Sequence, residues 1–216
     1  CLPFSQTNHN EAFPFMNGMG KPKSVIENLE VLLNRLKYTV RYNTIKKEIE
    51  IFIPNARFTQ DNQSEASLTT LESEATKFGW GNTGKIKEQV VVVGENNLYN
   101  PVAEYIDAVP WDMKDRLSEF FNTVKSNSST QLKELLIRKW LISAVALAYG
   151  NDIAAQGILV FTGGQGIGKT RWFNSLVPQK LKLAKDGVLL RPDDKDSLTQ
   201  TLSFWLIELG EVDATF

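Results

Sequence analysis

One glycine-rich stretch of the chain reads Gly163-Gly164-Gln165-Gly166-Ile167-Gly168-Lys169-Thr170. It fits the pattern G-x-x-x-x-G-K-T, in which glycines let successive backbone N–H groups converge on phosphate oxygens. The apolar run 157–162 before it predicts a buried parallel strand. Residues 169–177 behind it predict a helix that Pro178 would end. Strand, glycine loop and helix in this order predict a nucleotide-binding loop.

The residue types in this loop predict separate roles in binding a magnesium nucleotide. All eight residues from Gly163 to Thr170 are candidates for binding ATP, with the backbone amides as the cradle. Lys169 would place its ammonium between the β- and γ-phosphates, which makes it a candidate catalytic residue, and the Thr170 hydroxyl would coordinate Mg²⁺. The other interpretation is a glycine-rich loop in an ordinary α/β turn.

A second motif follows about forty residues after Lys169. The apolar run 204–207 leads into Glu208, and Glu211 lies shortly beyond it. A buried strand that ends in a carboxylate would present the acid at the carboxyl edge of an α/β sheet, beside the phosphates. Glu208 is therefore the first candidate to hold Mg²⁺ or to orient a catalytic water, and Glu211 is the second catalytic acid.

Composition places the chain among ordinary globular proteins. It has 216 residues, of which 42% are hydrophobic and 23% charged, and its net charge of -1 gives no global basic excess. The only cysteine is Cys1 and the only histidine is His9, which excludes a disulfide framework and a cysteine-based metal cluster. Because no apolar run has the length of a membrane span and no secretory signal is visible, we expect a cytoplasmic protein without membrane contact.

Residues 1–55 predict a small α+β unit. A loose arm over 1–22 precedes a helix that Ser24 could cap, and alternation over 38–42 and 49–53 predicts a β-hairpin. Basic and tyrosine side chains of this unit could contact a phosphate backbone, or they could form an ordinary solvated face; they are Lys21, Lys23, Lys37, Arg41, Lys46, Lys47, Tyr38 and Tyr42.

Residues 56–98 predict a linker and a helical segment. The polar stretch 54–64 reads as the linker, and 67–77 predicts a helix. Residues 83–98 are ambiguous, because the valine run 90–93 favours a strand by propensity. We prefer a helix there, since the stretch resembles a helical one in the family named below.

Residues 99–150 predict a helical region that packs on the nucleotide-binding core. One helix would open at Pro101 and run to Ala108, and a long one would cover 132–149. Large apolar side chains between them predict core anchors; they are Trp111, Leu117, Phe120 and Phe121. Residues 151–216 predict the first part of the nucleotide-binding domain, with a short strand within 180–191 and a helix over 197–202.

Several blocks of the chain, in serial order, resemble the virulence-associated E family. These are P-loop proteins of phages, plasmids and genomic islands, similar to superfamily 3 helicases and to the helicase half of primase-helicases. The resemblance covers about residues 95–213. Its blocks are 100–106, 111–112, 116–117, 139–146, 161–170, 195–196 and 205–213. It implies an α/β fold with a P-loop NTPase sheet of the AAA+ or superfamily 3 helicase type.

The resemblance also implies a function. A member would be an ATP- and Mg²⁺-dependent motor on single-stranded or duplex DNA, assembled as a homo-oligomeric ring, in replication of a mobile element. By resemblance, Gly163, Gly168, Lys169 and Thr170 form the nucleotide loop, and Glu208 with Glu211 forms the acidic motif.

The ends of the chain bear on this expectation. The chain opens on Cys1 rather than Met, and the polar sensor and arginine finger of such enzymes would follow Phe216. By resemblance, the sensor strand would lie between the loop strand and the acidic strand, so we expect a partial sheet. We therefore expect a piece of a longer polypeptide, which alone hydrolyses ATP poorly or not at all.

Two other classes of function stay open. The chain could be a DNA-binding or partner-docking module in which the nucleotide loop is only a switch and the N-terminal unit makes the contact. It could also be a P-loop kinase with a small-molecule acceptor. DNA binding by residues 1–95 that ignores ATP would favour the first, and turnover that ignores single-stranded DNA would favour the second.

Overall fold

The computed structural model describes residues 12–59, 62–150, 155, 157–189 and 193–210. They form a mixed α/β protein that divides into unit 1, Cys1–Tyr99, and unit 2, Asn100–Phe216. Unit 1 contains α1 (Ile26–Leu36), β1 (Thr39–Asn43), β2 (Glu48–Phe52), α2 (Gln63–Lys77), α3 (Ile86–Glu95) and β3 (Leu98–Tyr99). Unit 2 contains α4 (Pro101–Asp107), α5 (Leu117–Asn122), α6 (Thr130–Ala148), α7 (Lys169–Asn174), β4 (Ala184–Val188), α8 (Lys195–Thr201) and β5 (Leu206–Leu209).

Unit 1 is built on a three-stranded sheet in the order β2-β1-β3. The predicted hairpin is confirmed, since β1 and β2 pair antiparallel with Val40 opposite Ile51. β3 pairs parallel to β1 on its other edge. Val40 and Ile51 are almost fully buried, and they join one apolar cluster with residues of α1 and α2 such as Leu32 and Leu71. The helices therefore cover the sheet face that carries these aliphatic side chains.

Two details of unit 1 differ from the sequence prediction. Ser24 does not cap α1, because Val25 occupies the N-cap and makes no side-chain cap hydrogen bond. Residues 12–22 of the predicted loose arm are attached to α1 through the buried Asn28. Its side chain accepts a hydrogen bond from the Phe15 N–H and donates to the Phe15 and Lys23 carbonyls.

The helix preferred within 83–98 is confirmed as α3.

Unit 2 begins with the helix predicted to open at Pro101, and the structure adds an N-terminal cap from Asn100. The Asn100 side chain accepts from the N–H groups of Val102 and Ala103, and Pro101 occupies the first turn of α4. Among the predicted core anchors, Phe121 is buried, whereas Trp111 is 71% exposed. The Trp111 prediction is wrong because the indole lies on the surface, where its Nε1 donates to the Lys114 carbonyl.

The strands near the glycine loop are fewer than predicted. β4 and β5 form a parallel pair with Ala184 opposite Leu206, which confirms a strand within 180–191 and the strand that leads to Glu208. The strand predicted over 157–162 is wrong: these residues are described and lie in no strand. Apolar, β-branched composition favours a strand only where a neighbour supplies ladder partners, and among the described residues the sheet of β4 and β5 has two strands.

The fold class is therefore α/β, but no P-loop NTPase sheet is formed by the residues that the structure describes. Within the same residues, none of the helices has the length and apolar character needed to cross a membrane.

Candidate functional site

The glycine loop lies on the surface of unit 2 and leads directly into α7. Gly163, Gly166 and Gly168 have positive φ angles of 150°, 79° and 93°. Residues with a Cβ rarely adopt such angles, so glycine suits all three positions. A Cβ on Gly163 would also lie 2.9 Å from the Cδ1 atom of Ile167. The backbone geometry thus explains the spacing of these glycines.

Lys169 folds over this loop. Its ammonium donates to the carbonyl oxygens of Gly163 and Gly164, and both distances are 2.9 Å. An ammonium has three N–H donors, so one is left over for another acceptor. Since carbonyl and phosphate oxygens are both acceptors, the same N–H groups could pass to a phosphate placed on the loop.

Thr170 and Glu208, the two predicted metal ligands, meet in the structure. The Thr170 hydroxyl donates to Oε1 of Glu208 at 2.7 Å, although the two residues are 38 positions apart. Thr170 is in the first turn of α7, and Glu208 is on β5. Hydroxyl and carboxylate oxygens are the ligands that Mg²⁺ prefers, so this pair suits a small hard cation. Glu211 lies outside the described residues, so its role stays a prediction.

A second polar contact on α7 was not foreseen from the sequence. Asn174 donates to Oδ2 of Asp186 at 2.7 Å. Thr170 and Asn174 are four residues apart and therefore share one face of the helix. Through this face α7 is bonded to β5 by Thr170 and to β4 by Asn174. The four-residue spacing of Thr170 and Asn174 was visible in the sequence, but Asp186 as the partner of Asn174 was not.

Two of the candidate DNA contacts in unit 1 are engaged within that unit. The Arg41 guanidinium lies 3.9 Å from the centre of the Tyr99 ring. The Lys46 ammonium lies 2.9 Å from a Glu50 oxygen and 3.4 Å from a Glu48 oxygen. Burial alone would lower the pKa of Lys46, but its bond to Glu50 and the charge there outweigh burial and raise it. Both cations therefore stabilise the sheet of unit 1.

The described residues thus define a mixed α/β protein in which the lysine of a glycine loop bonds to the loop carbonyls and the threonine that follows it bonds to an acid on a strand. The family model of the virulence-associated protein E-like domain matches residues 106–216, slightly more than half of the chain. The chain belongs to this family. The predicted resemblance is confirmed at that level, with a match that begins at 106 rather than near 95. No curated protein matches the sequence.

Proposed function

We propose that unit 2 binds magnesium ATP on the loop Gly163–Thr170 and that Lys169 and Glu208 take part in its hydrolysis, although this chain alone is expected to turn ATP over weakly or not at all. The observation that carries this proposal is the 2.7 Å contact between the Thr170 hydroxyl and the Glu208 carboxylate. It places an acid beside the loop that ends in the lysine and threonine of the nucleotide-binding pattern. A glycine-rich turn without a ligand would not require an acid on a distant strand to meet Thr170.

Each side chain has a task that follows from its chemistry. The loop amides would hold phosphate oxygens, and Lys169 would offset negative charge on the phosphoryl group that is transferred. Thr170 and Glu208 would hold Mg²⁺, which when bound neutralises charge on the β- and γ-phosphates. Glu208 is also placed to orient a water molecule for attack.

The wider proposal is a motor that acts on DNA. Membership of the virulence-associated protein E-like family hints at a protein of phages or plasmids, and the resemblance to primase-helicases supports a helicase in replication. A homo-oligomeric ring and a DNA partner belong to the same proposal. Arg41 and Lys46 are engaged within unit 1. This leaves four exposed lysines for the alternative in which this unit makes the DNA contact, and they are Lys21, Lys23, Lys37 and Lys47.

The first test is calorimetric titration of the protein with magnesium ATP. Lys169→Ala removes a charged donor to the phosphates, so we expect affinity to fall about tenfold to a hundredfold. Lys125→Ala is the matched control, because Lys125 lies exposed in a loop of the same unit, and its affinity should equal that of the wild type. No saturable binding by the wild type, or equal affinity in Lys169→Ala, would refute the site.

A second measurement addresses the motor. ATP turnover is followed with and without single-stranded DNA, beside Glu208→Gln, in a polypeptide that also supplies the expected polar sensor and arginine finger, because this chain alone is expected to hydrolyse ATP weakly or not at all. Stimulation by DNA would support a motor, and turnover indifferent to DNA would favour a switch or a kinase. Glu208→Gln should bind ATP but hydrolyse it more slowly, and unaltered turnover would exclude the proposed role of Glu208.

A further inference from the structure

Three aromatic rings meet at the base of the glycine loop. The Trp172 ring of α7 lies 5.1 Å from the Phe161 ring, nearly perpendicular to it, and 5.6 Å from the Phe120 ring of α5. The Trp172 indole also donates from Nε1 to the Thr123 hydroxyl at 2.8 Å. We name these residues, Phe120, Thr123, Phe161 and Trp172, the aromatic clamp.

The clamp joins the two ends of the loop. Phe161 lies two residues before Gly163, and Trp172 lies two residues after Thr170. Their ring contact therefore sets the distance between the segment that leads into the loop and the helix that follows it. Because residues 157–162 are described and lie in no strand, ladder hydrogen bonds do not hold the segment that leads into the loop. The ring contact between Phe161 and Trp172 and the Lys169 bonds to the loop carbonyls hold it in place.

Trp172 cannot serve the site directly. Successive residues of an α-helix are rotated by about 100°, so Trp172 projects from the side of α7 opposite to Thr170. Its contacts with Phe120 and Thr123 anchor that rear side of the helix to α5 and the residue after it. Any influence on a bound phosphate must pass through the position of the loop.

We propose that Trp172 is a positioning residue for the phosphate loop: it holds Lys169 and Thr170 in the arrangement that receives the nucleotide. This inference rests on the proposed function and names a further residue for it. A loop already held in its binding shape loses less conformational freedom when the ligand arrives. Loss of the clamp therefore weakens binding without removing any group that touches the ligand.

The test compares affinities for magnesium ATP. Trp172→Leu should weaken binding about tenfold, which corresponds to about 1.4 kcal/mol. Trp172→Phe keeps an aromatic ring against Phe161 and should recover most of the affinity. Trp111→Leu is the matched control, since the 71% exposed Trp111 lies outside the clamp, and it should bind as the wild type does. Equal affinities in Trp172→Leu and Trp111→Leu would overturn the proposal.

A double-mutant comparison separates positioning from general stability. If Trp172 acts partly by placing Lys169, then Trp172→Leu should cost less affinity in the Lys169→Ala background than in the wild type, with the remainder due to Thr170 and the loop amides. A residue that only stabilises the fold would cause the same fold-loss in both backgrounds, and that result would contradict positioning of Lys169 by Trp172. Should Trp172→Leu fail to fold, Thr123→Val removes the hydroxyl that accepts from the Trp172 indole and that itself donates to the Phe120 carbonyl at 2.7 Å. This variant should weaken binding about twofold to threefold by the same reasoning.

Hydrogen exchange of the nucleotide-free protein distinguishes failure of this inference from failure of the proposed function. The Trp172 N–H bonds to the Gly168 carbonyl, and the Ser175 N–H bonds to the Arg171 carbonyl. These amides should exchange faster in Trp172→Leu than in Trp111→Leu. If the wild type binds no magnesium ATP, the proposed function fails. Whether or not ATP binds, exchange that is equal in Trp172→Leu and Trp111→Leu would reject Trp172 as the residue that holds the loop.

Discussion

The two units bury their apolar side chains in different ways. In unit 1, residues of α1, α2, α3 and the sheet form one cluster of nearly inaccessible side chains. In unit 2, more of the large apolar residues remain on the surface than in unit 1, and they include Trp111, Met113, Ile158 and Val160 with exposures of 66 to 78%. The candidate site lies in the unit whose described residues are more exposed. There, single hydrogen bonds and ring contacts, rather than a continuous core, hold the groups that could do chemistry.

The difference between the two units is tested most directly by the same leucine-to-alanine substitution in each of them. Leu32 of α1 is fully buried, and Leu136 of α6 is 49% exposed. We expect Leu32→Ala to lower the unfolding free energy of unit 1 by about 2–5 kcal/mol, because it leaves a cavity. Leu136→Ala should cost unit 2 about 1 kcal/mol or less, since less area is uncovered.

Fluorotryptophan NMR in urea can follow both units in one sample. Trp80 is the single tryptophan of unit 1, and the other four are in unit 2. Leu32→Ala should move the Trp80 transition, and Leu136→Ala should barely move those of unit 2. Similar losses of unfolding free energy in the two variants would show that the exposed fraction of a side chain does not predict its contribution to the stability of these units.

A smaller effect tests the loop itself. Gly168 has a φ of 93°, and a Cβ there would meet no atom within 4 Å, so Gly168→Ala changes only backbone preference. We expect a loss of about 1–2 kcal/mol in the stability of unit 2. Gly157→Ala, equally free of neighbours but without positive φ, is the control and should be neutral. Thermal unfolding measures both, and a neutral Gly168→Ala would show that the loop relaxes into another shape.

Much of the fold could be predicted where the signal is local. The start of α4 at Pro101 is an example, because the proline and the helix it opens are neighbours in sequence. The hairpin of β1 and β2 is another, since alternation and a short turn specify it. For the site, the motif predicted the loop, and the apolar run before Glu208 predicted the strand that carries it to Thr170.

The rest could not be predicted because it depends on partners distant in sequence. β3 is two residues long and exists only through pairing with β1. The run 157–162 has strand composition but lies in no strand, so composition did not decide its pairing. Likewise, nothing in the sequence near Asn174 indicates that Asp186 is its partner.

The smallest expected effect is a pH dependence confined to unit 1. Glu50 accepts hydrogen bonds from Tyr99, Lys46 and Asn43. Burial alone would raise the pKa of Glu50, but these bonds and the charge of Lys46 outweigh burial and lower it. A carboxyl with a lower pKa in the folded state stabilises the fold above its unfolded pKa of about 4.3, and this contribution is lost as the pH falls through the folded pKa.

We therefore expect the urea midpoint reported by Trp80 to decrease as the pH is lowered from about 5 to about 3, the range below the unfolded pKa of a glutamate. Glu50→Gln should flatten this decrease. Glu48→Gln should keep it, because Glu48 reaches the same Lys46 at 3.4 Å but is 45% exposed and screened by water. If Glu48→Gln flattened the profile as much as Glu50→Gln, the acid response would come from surface charge around Lys46. The Asn43–Glu50–Tyr99 network would then have no special part in holding β3 to the sheet of unit 1.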